Sequence, residues 1–150
     1  VIFEFTAAGE RHGLVGDNVL AEITPNPFLQ PPTEPGGRRP HVLPRYNDSL
    51  DALANEGFDR FLPGHRGEID APSERIEQIL TEHEQRTGTV ADLVDGPTTP
   101  VDVMEGLFDD LAVTEQFSGM SEAVGHLDVL EERERVEREE SGGVIVYRPP

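Results

Sequence analysis

Seven of the thirteen prolines lie within residues 24–44, together with Gly36-Gly37 and Arg38-Arg39. Proline fixes φ and has no N–H to give a ladder, so neither a long helix nor a central strand can cross such a stretch. Residues 24–44 are therefore expected to form a long irregular loop. In a compact domain, a loop of this length is a functional lid or a disordered segment.

The residues before it read as strands. Val1, Phe3 and Phe5 share one strand face, Ala8-Gly9 marks a turn, and Leu14-Val15 runs into Gly16-Asp17 before Val19-Leu20. The pattern is a hairpin followed by a strand end. After the loop, Ser49 to Glu56 carries Leu50, Leu53 and Ala54 on one helical face and stops at Gly57. Phe58 to Leu62 then reads as a short strand entering Pro63-Gly64-His65.

Helical spacing takes over beyond Ile69. Ser73 is the expected cap of a helix carrying Ile76, Ile79, Leu80, Val90, Leu93 and Val94, which Gly96-Pro97 ends. Thr99 caps a second helix with Val101, Met104, Leu107, Phe108 and Leu111 on one face. Ser118 or Ser121 begins a third, with Met120, Val124, Leu127 and Leu130 inward. Val136 and Val144 to Tyr147 flank Ser141-Gly142-Gly143, a turn between two strands. Three helices and a terminal hairpin are the parts of a winged helix. No internal repeat is visible.

Charge narrows the partners. The 150 residues hold 30 Asp and Glu against 12 basic residues, every one of them Arg, for a formal charge of −18. That balance speaks against phosphate-backbone binding and against docking on an anionic membrane. From Gly96 onward there are 13 acids and 4 Arg, so the third helix and wing make a poor reader of nucleic acid. Arg133, Arg135 and Arg138 alternate with Glu as on a solvated face of helical ion pairs. Acid spread along the whole chain, with no Lys, resembles proteins of organisms that keep molar salt in the cytoplasm, where screening removes the repulsion. Hydrophobic residues at 35% and aromatics at 6% allow only a modest core. With no Cys there is no disulfide scaffold, thiolate metal site or cysteine nucleophile. No apolar run reaches membrane-spanning length, and the first residues lack a signal peptide's regions, so a soluble cytoplasmic protein is expected.

Two residues stand out for chemistry. Asp17 in GLVGDNVL and His65 in FLPGHRGEI each follow a short apolar strand and lie beside Gly. There a side chain can reach a ligand while the backbone turns away. Asp and His are standard ligands for zinc and related metals. A Gly-Asp turn is common, and a His after Pro-Gly is ordinarily a loop histidine, so the residues alone leave both readings open. Of the other histidines, His12 reads as a surface residue of the hairpin, and His41 lies in the proline-rich loop, where a substrate or metal contact is the minor reading. His83 is placed at the edge of an apolar helical face, and His126 beside Leu127 reads as structural.

The order GLVGDNVL, a loop beginning ITPNP, YNDSLDAL and FDRFLPGHRGEI resembles the C-terminal half of the metallo-β-lactamase superfamily. The following SERIEQILTEHEQRTGTVADLV and the tail are similar to the subgroup with an added C-terminal winged helix. The resemblance implies an α/β fold. Residues 1–70 would be part of an αββα sandwich, with loop 24–44 over the active site, and 72–150 a helical linker and winged helix. It implies a hydrolase that uses metal-bound water on an ester, thioester, amide or phosphodiester, with two divalent ions, expected to be zinc. In that family Asp17's position bridges the metals and His65's position ligates one. The family's HxHxDH motif is absent, so this chain by itself is expected to bind metal weakly or not at all and to be inactive. Its expected partner is a small-molecule substrate or the missing N-terminal half. The rival functions are a non-catalytic protein-interaction module and an RNA-processing nuclease of the same superfamily. Neither substrate nor oligomeric state is written in the pattern.

Overall fold

The computed structural model describes the backbone of residues 2–150 and every side chain among them except that of Ser141. Val1, placed by its pattern on the first strand face, lies outside the described residues. The elements are β1 (Phe3–Ala7), β2 (Glu10–Gly16), α1 (Val42–Ala54), β3 (Arg60–Pro63), α2 (Pro72–Leu93), α3 (Pro100–Leu107), α4 (Gln116–Glu132), β4 (Glu137–Ser141) and β5 (Val144–Arg148). The chain divides into two compact units that interleave in sequence. The first holds residues up to Pro25 with Asn47–Glu82, and the second holds Asn26–Tyr46 with His83–Pro150.

In the first unit β1 and β2 form an antiparallel hairpin, Phe3 opposite Leu14 and Phe5 opposite His12. Ala8 and Gly9 turn it at φ 53° and 87°, the left-handed pair that matches the twist of the flanking strands. β3 lies parallel to β2, with Gly13 beside Phe61 and Gly16 beside Pro63. Phe61 and Val15 are fully buried, and a Cβ on Gly13 would stand 3.0 Å from the Phe61 ring. A larger residue there would need the ring to give way by a few tenths of an ångström. Leu50 of α1 and Ile76 and Ile79 of α2 add to the buried apolar residues of this unit. On the opposite face Phe3, Phe5 and Leu14 remain 66%, 43% and 43% exposed. Arg75 donates to the Leu20 and Ile23 carbonyls at 2.8 and 2.9 Å, tying down the segment that follows Asp17.

The second unit is built around Val90, Val94, Val103, Leu127, Leu130 and Tyr147. Thr99 caps α3 as expected, in a reciprocal capping box with Asp102. α4 is buried on nearly every side from Ser121 to Leu130. The Gly142-Gly143 turn, at φ 61° and 82°, joins β4 to β5. Thr98 and Tyr147 exchange backbone hydrogen bonds of 2.8 Å in each direction.

Several boundaries differ from the sequence expectation. α1 begins at Val42 rather than Ser49. Pro44 is tolerated because the first-turn N–H groups have no intrahelical acceptor. α2 begins at Pro72, so Ser73 is inside the first turn and its hydroxyl donates to the Ala54 carbonyl at 2.9 Å instead of capping. α3 stops at Leu107, leaving Leu111 outside the helix. Ser118 and Ser121 do not start α4. Their hydroxyls donate back to the Glu115 and Phe117 carbonyls at 2.7 and 2.8 Å, the local bonding that competes with capping. Arg133, the C-cap residue of α4, grips Glu84 of α2 with two hydrogen bonds of 2.9 and 2.8 Å. Arg138 lies in β4, and Arg135 lies between α4 and β4.

Candidate functional site

Parallel pairing decides where the two candidate ligands go. β2 and β3 run the same way, so their C-terminal ends emerge side by side, and Gly64 N–H donates to the Gly16 carbonyl at 3.0 Å. Gly16 turns the chain at φ 56°. Asp17 Oδ1 and His65 Nδ1 then meet at 2.7 Å, with side chains 64% and 75% exposed. A carboxylate only accepts, so Nδ1 carries a proton, and in the neutral imidazole Nε2 keeps its lone pair for an external ligand. Gly64 makes room for this pair: a Cβ there would stand 3.0 Å from Asp17 Oδ1. Asn18 holds the turn by donating to the Val15 carbonyl at 2.9 Å.

The donors themselves suit a divalent metal, one imidazole and one carboxylate reachable from solvent. They do not complete a site. A catalytic zinc takes three protein ligands plus water, and among the described residues no third His, Asp or Glu joins Asp17 and His65 in a ligand group.

The remaining histidines lie elsewhere. His12, expected at the surface, has a side chain only 13% exposed and stacks on Phe5 with ring centroids 5.0 Å apart. The hairpin register brings it onto that ring. His83 is buried rather than at an edge, its ring 5.9 Å from Tyr46 and 6.1 Å from His126. His126 is structural, as expected, and buried. Thr87 gives its hydroxyl proton to the His83 carbonyl at 2.9 Å and accepts from His126 Nδ1 at 2.9 Å. Burial, reinforced by His83 and Arg86, pushes the His126 pKa from 6.5 down to about 3.

A second constellation lies in the other unit, where the proline-rich segment meets α4. Arg39 grips the fully buried Asp128 with hydrogen bonds of 2.6 and 2.5 Å, and Arg38 pairs with Glu131 at 2.7 Å. His41 Nδ1 lies 2.8 Å from Glu132 Oε1. Its Nε2 is 3.8 Å from Asp128 Oδ1 and 3.7 Å from Glu131 Oε2. Burial raises the Asp128 pKa against the opposing pull of Arg39. Sequence reading did not single out Asp128 or Glu131. Their i, i+3 spacing on a helix was the available signal, but acids are so frequent in this chain that the spacing did not stand out.

Comparison with known proteins supports the likeness to metallo-β-lactamase proteins and leaves the winged helix untested. The chain is 33% identical over 136 residues to "Probable metallo-hydrolase YqjP" of Bacillus subtilis (strain 168), a match covering 90% of this chain and 42% of that protein. Its fold is similar to a metallo-beta-lactamase family protein from Thermus thermophilus, with a TM-score of 0.75 and 24% identity over 99% of this chain and 52% of the other. A beta-lactamase domain protein from Burkholderia ambifaria gives a TM-score of 0.79 and 25% identity over 93% of this chain and 41% of the other. No family model matches the chain. The chain thus spans less than half the length of the curated relative it matches. Among the described residues, no helix is long and apolar enough to cross a membrane. The chain is thus similar in sequence to a probable metallo-hydrolase and in fold to a metallo-beta-lactamase family protein and a beta-lactamase domain protein.

Proposed function

We propose that this chain is part of a metal-dependent hydrolase of the metallo-β-lactamase superfamily, in which Asp17 and His65 are two ligands of a metal centre that further polypeptide completes. The observation that carries this reading is the 2.7 Å approach of Asp17 and His65 at the ends of adjacent parallel strands. The exposed apolar face of Phe3, Phe5 and Leu14 supports the incompleteness, because a sheet face of that composition normally packs against a second layer.

This chain's own contribution is positional. The β2–β3 register aims both side chains at one point, and the Asp17 carboxylate orients the His65 ring through Nδ1. When bound, a divalent ion, zinc in our reading, supplies Lewis acidity and lowers the pKa of the attacking water. Within residues 1–70, the segments 1–25 and 47–70 would then form the part of the sandwich that holds these two ligands, and 72–150 would carry the appended helices and wing. The wing reading is supported by the Thr98–Tyr147 bridge, which adds a third strand segment to the β4–β5 hairpin. Its acidity, 13 acids against 4 Arg from Gly96 onward, favours a protein contact over nucleic acid for that module.

The test is hydrolysis of p-nitrophenyl esters and bis-p-nitrophenyl phosphate by this chain joined to the polypeptide that supplies the remaining ligands. Asp17→Ala and His65→Ala are each expected to lose on the order of 100-fold or more in rate. Full activity in either variant would remove that residue from the metal centre.

A further inference from the structure

We infer that His41, Asp128 and Glu131 form a second metal site, separate in residues from Asp17 and His65, that staples the proline-rich segment to α4 with a divalent transition ion such as zinc. One imidazole nitrogen and two carboxylate oxygens converge there, all within 4.8 Å of one another. That donor set suits zinc and its neighbours better than calcium or magnesium, which prefer oxygen alone.

The observation that points to a ligand is Glu131 Oε2. That oxygen is buried and has no hydrogen-bond partner among the described residues, while Oε1 of the same carboxylate pairs with Arg38 and the side chain is 19% exposed; a buried carboxylate oxygen left unpaired is costly. Glu131 Oε2 faces His41 Nε2 at 3.7 Å, and Asp128 Oδ1 faces the same nitrogen at 3.8 Å. These separations are too long for hydrogen bonds. They lie close to the roughly 3.4 Å between two ligands of a tetrahedral ion with ~2.1 Å bonds. Glu132 accepts from His41 Nδ1 at 2.8 Å, so in the neutral ring the lone pair sits on Nε2, facing the two carboxylates.

The arginines leave room for this role. Arg39 takes one lone pair from each Asp128 oxygen, and each oxygen keeps another. With neutral His41, the three acids Asp128, Glu131 and Glu132 outweigh Arg38 and Arg39 by one negative charge. Arg38, the partner of the Glu131 carboxylate, is 65% exposed and can turn toward solvent. A cavity of about 370 Å³ lined by Arg38, His41 and Glu131 provides the route in.

The test is titration of the metal-stripped 150-residue chain with Co²⁺, read by its visible d–d absorption, followed by displacement with Zn²⁺. Wild type and Asp17→Ala are expected to bind one ion per chain with equal affinity and the same spectrum. His41→Gln and Glu131→Gln should each weaken binding at least 100-fold while circular dichroism shows an unchanged fold. Glu132→Gln, which removes only the carboxylate behind His41, should weaken it on the order of 10–100-fold. Unaltered affinity in a folded His41→Gln or Glu131→Gln variant would overturn the assignment. So would loss of the ion in Asp17→Ala, or no binding by folded wild type at millimolar Co²⁺.

Discussion

Asp17 Oδ1 and His65 Nδ1 meet at 2.7 Å although 48 positions separate the two residues in the chain. Two adjacent parallel strands produce the meeting, and a glycine on each strand end leaves space for it. Gly16 supplies the left-handed turn, and Gly64 supplies the absent Cβ.

Gly64→Ala should therefore disturb the pair without disturbing the fold. The new methyl would stand 3.0 Å from Asp17 Oδ1, and both side chains are exposed enough to move apart. Nitrogen-detected NMR of the metal-free chain near pH 7.5 should show His65 protonated on Nδ1 in wild type and a mixture of tautomers in the variant. A mixture already present in wild type would contradict the hydrogen bond.

The Arg39–Asp128 pair should carry much of the attachment of the proline-rich segment. Arg39→Ala leaves a fully buried carboxylate without its guanidinium, which costs roughly 3–5 kcal/mol. Because burial already raises the Asp128 pKa, proton uptake should hold the loss to the lower end. Urea unfolding checks this. Arg39→Ala/Asp128→Asn should recover about 1 kcal/mol or more of the single-variant loss, and no recovery would mean that the charge is not the cause.

His126 sets an acid limb on stability. Its folded pKa of about 3 lies below the unfolded 6.5, so the unfolded chain binds the extra proton and stability falls as pH drops below 6.5 toward 3. Above 6.5 both states are neutral there, and the group contributes no pH dependence. Between pH 7.5 and 5.5 the loss from this residue should be about 1.4 kcal/mol. His126→Asn keeps a donor toward Thr87 but does not titrate, so its stability should vary less over that interval by that amount. Parallel profiles for the two proteins would refute the assignment.

The surface charge predicts a dependence on salt. With 30 acids against 12 Arg, self-repulsion loosens the fold in dilute buffer and is screened at high ionic strength. The thermal midpoint is expected to be higher in 3 M KCl than in 0.1 M KCl. An equal or lower midpoint would show that the ion pairs on this surface already compensate the excess.

What the sequence by itself determined was local. The Ala8-Gly9 and Gly142-Gly143 turns, the Thr99 cap and the irregular course of residues 24–41 follow from φ preferences and from hydrogen bonds made within a few residues. Local signals misled where another acceptor was equally near, as at Ser73, Ser118 and Ser121. Asp17 and His65 were legible as a pair only because their motifs resemble a family. Their spacing in sequence says nothing of the register that joins them. The tertiary structure alone decided that residues 26–46 belong with α4. It buried Asp128, His83 and His126, and it turned His41 from a loop histidine into the neighbour of two helical carboxylates. In a chain with an acid at every fifth position on average, composition cannot mark which carboxylate is buried. Burial depends on which distant segment covers it, and that is a property of the packed chain.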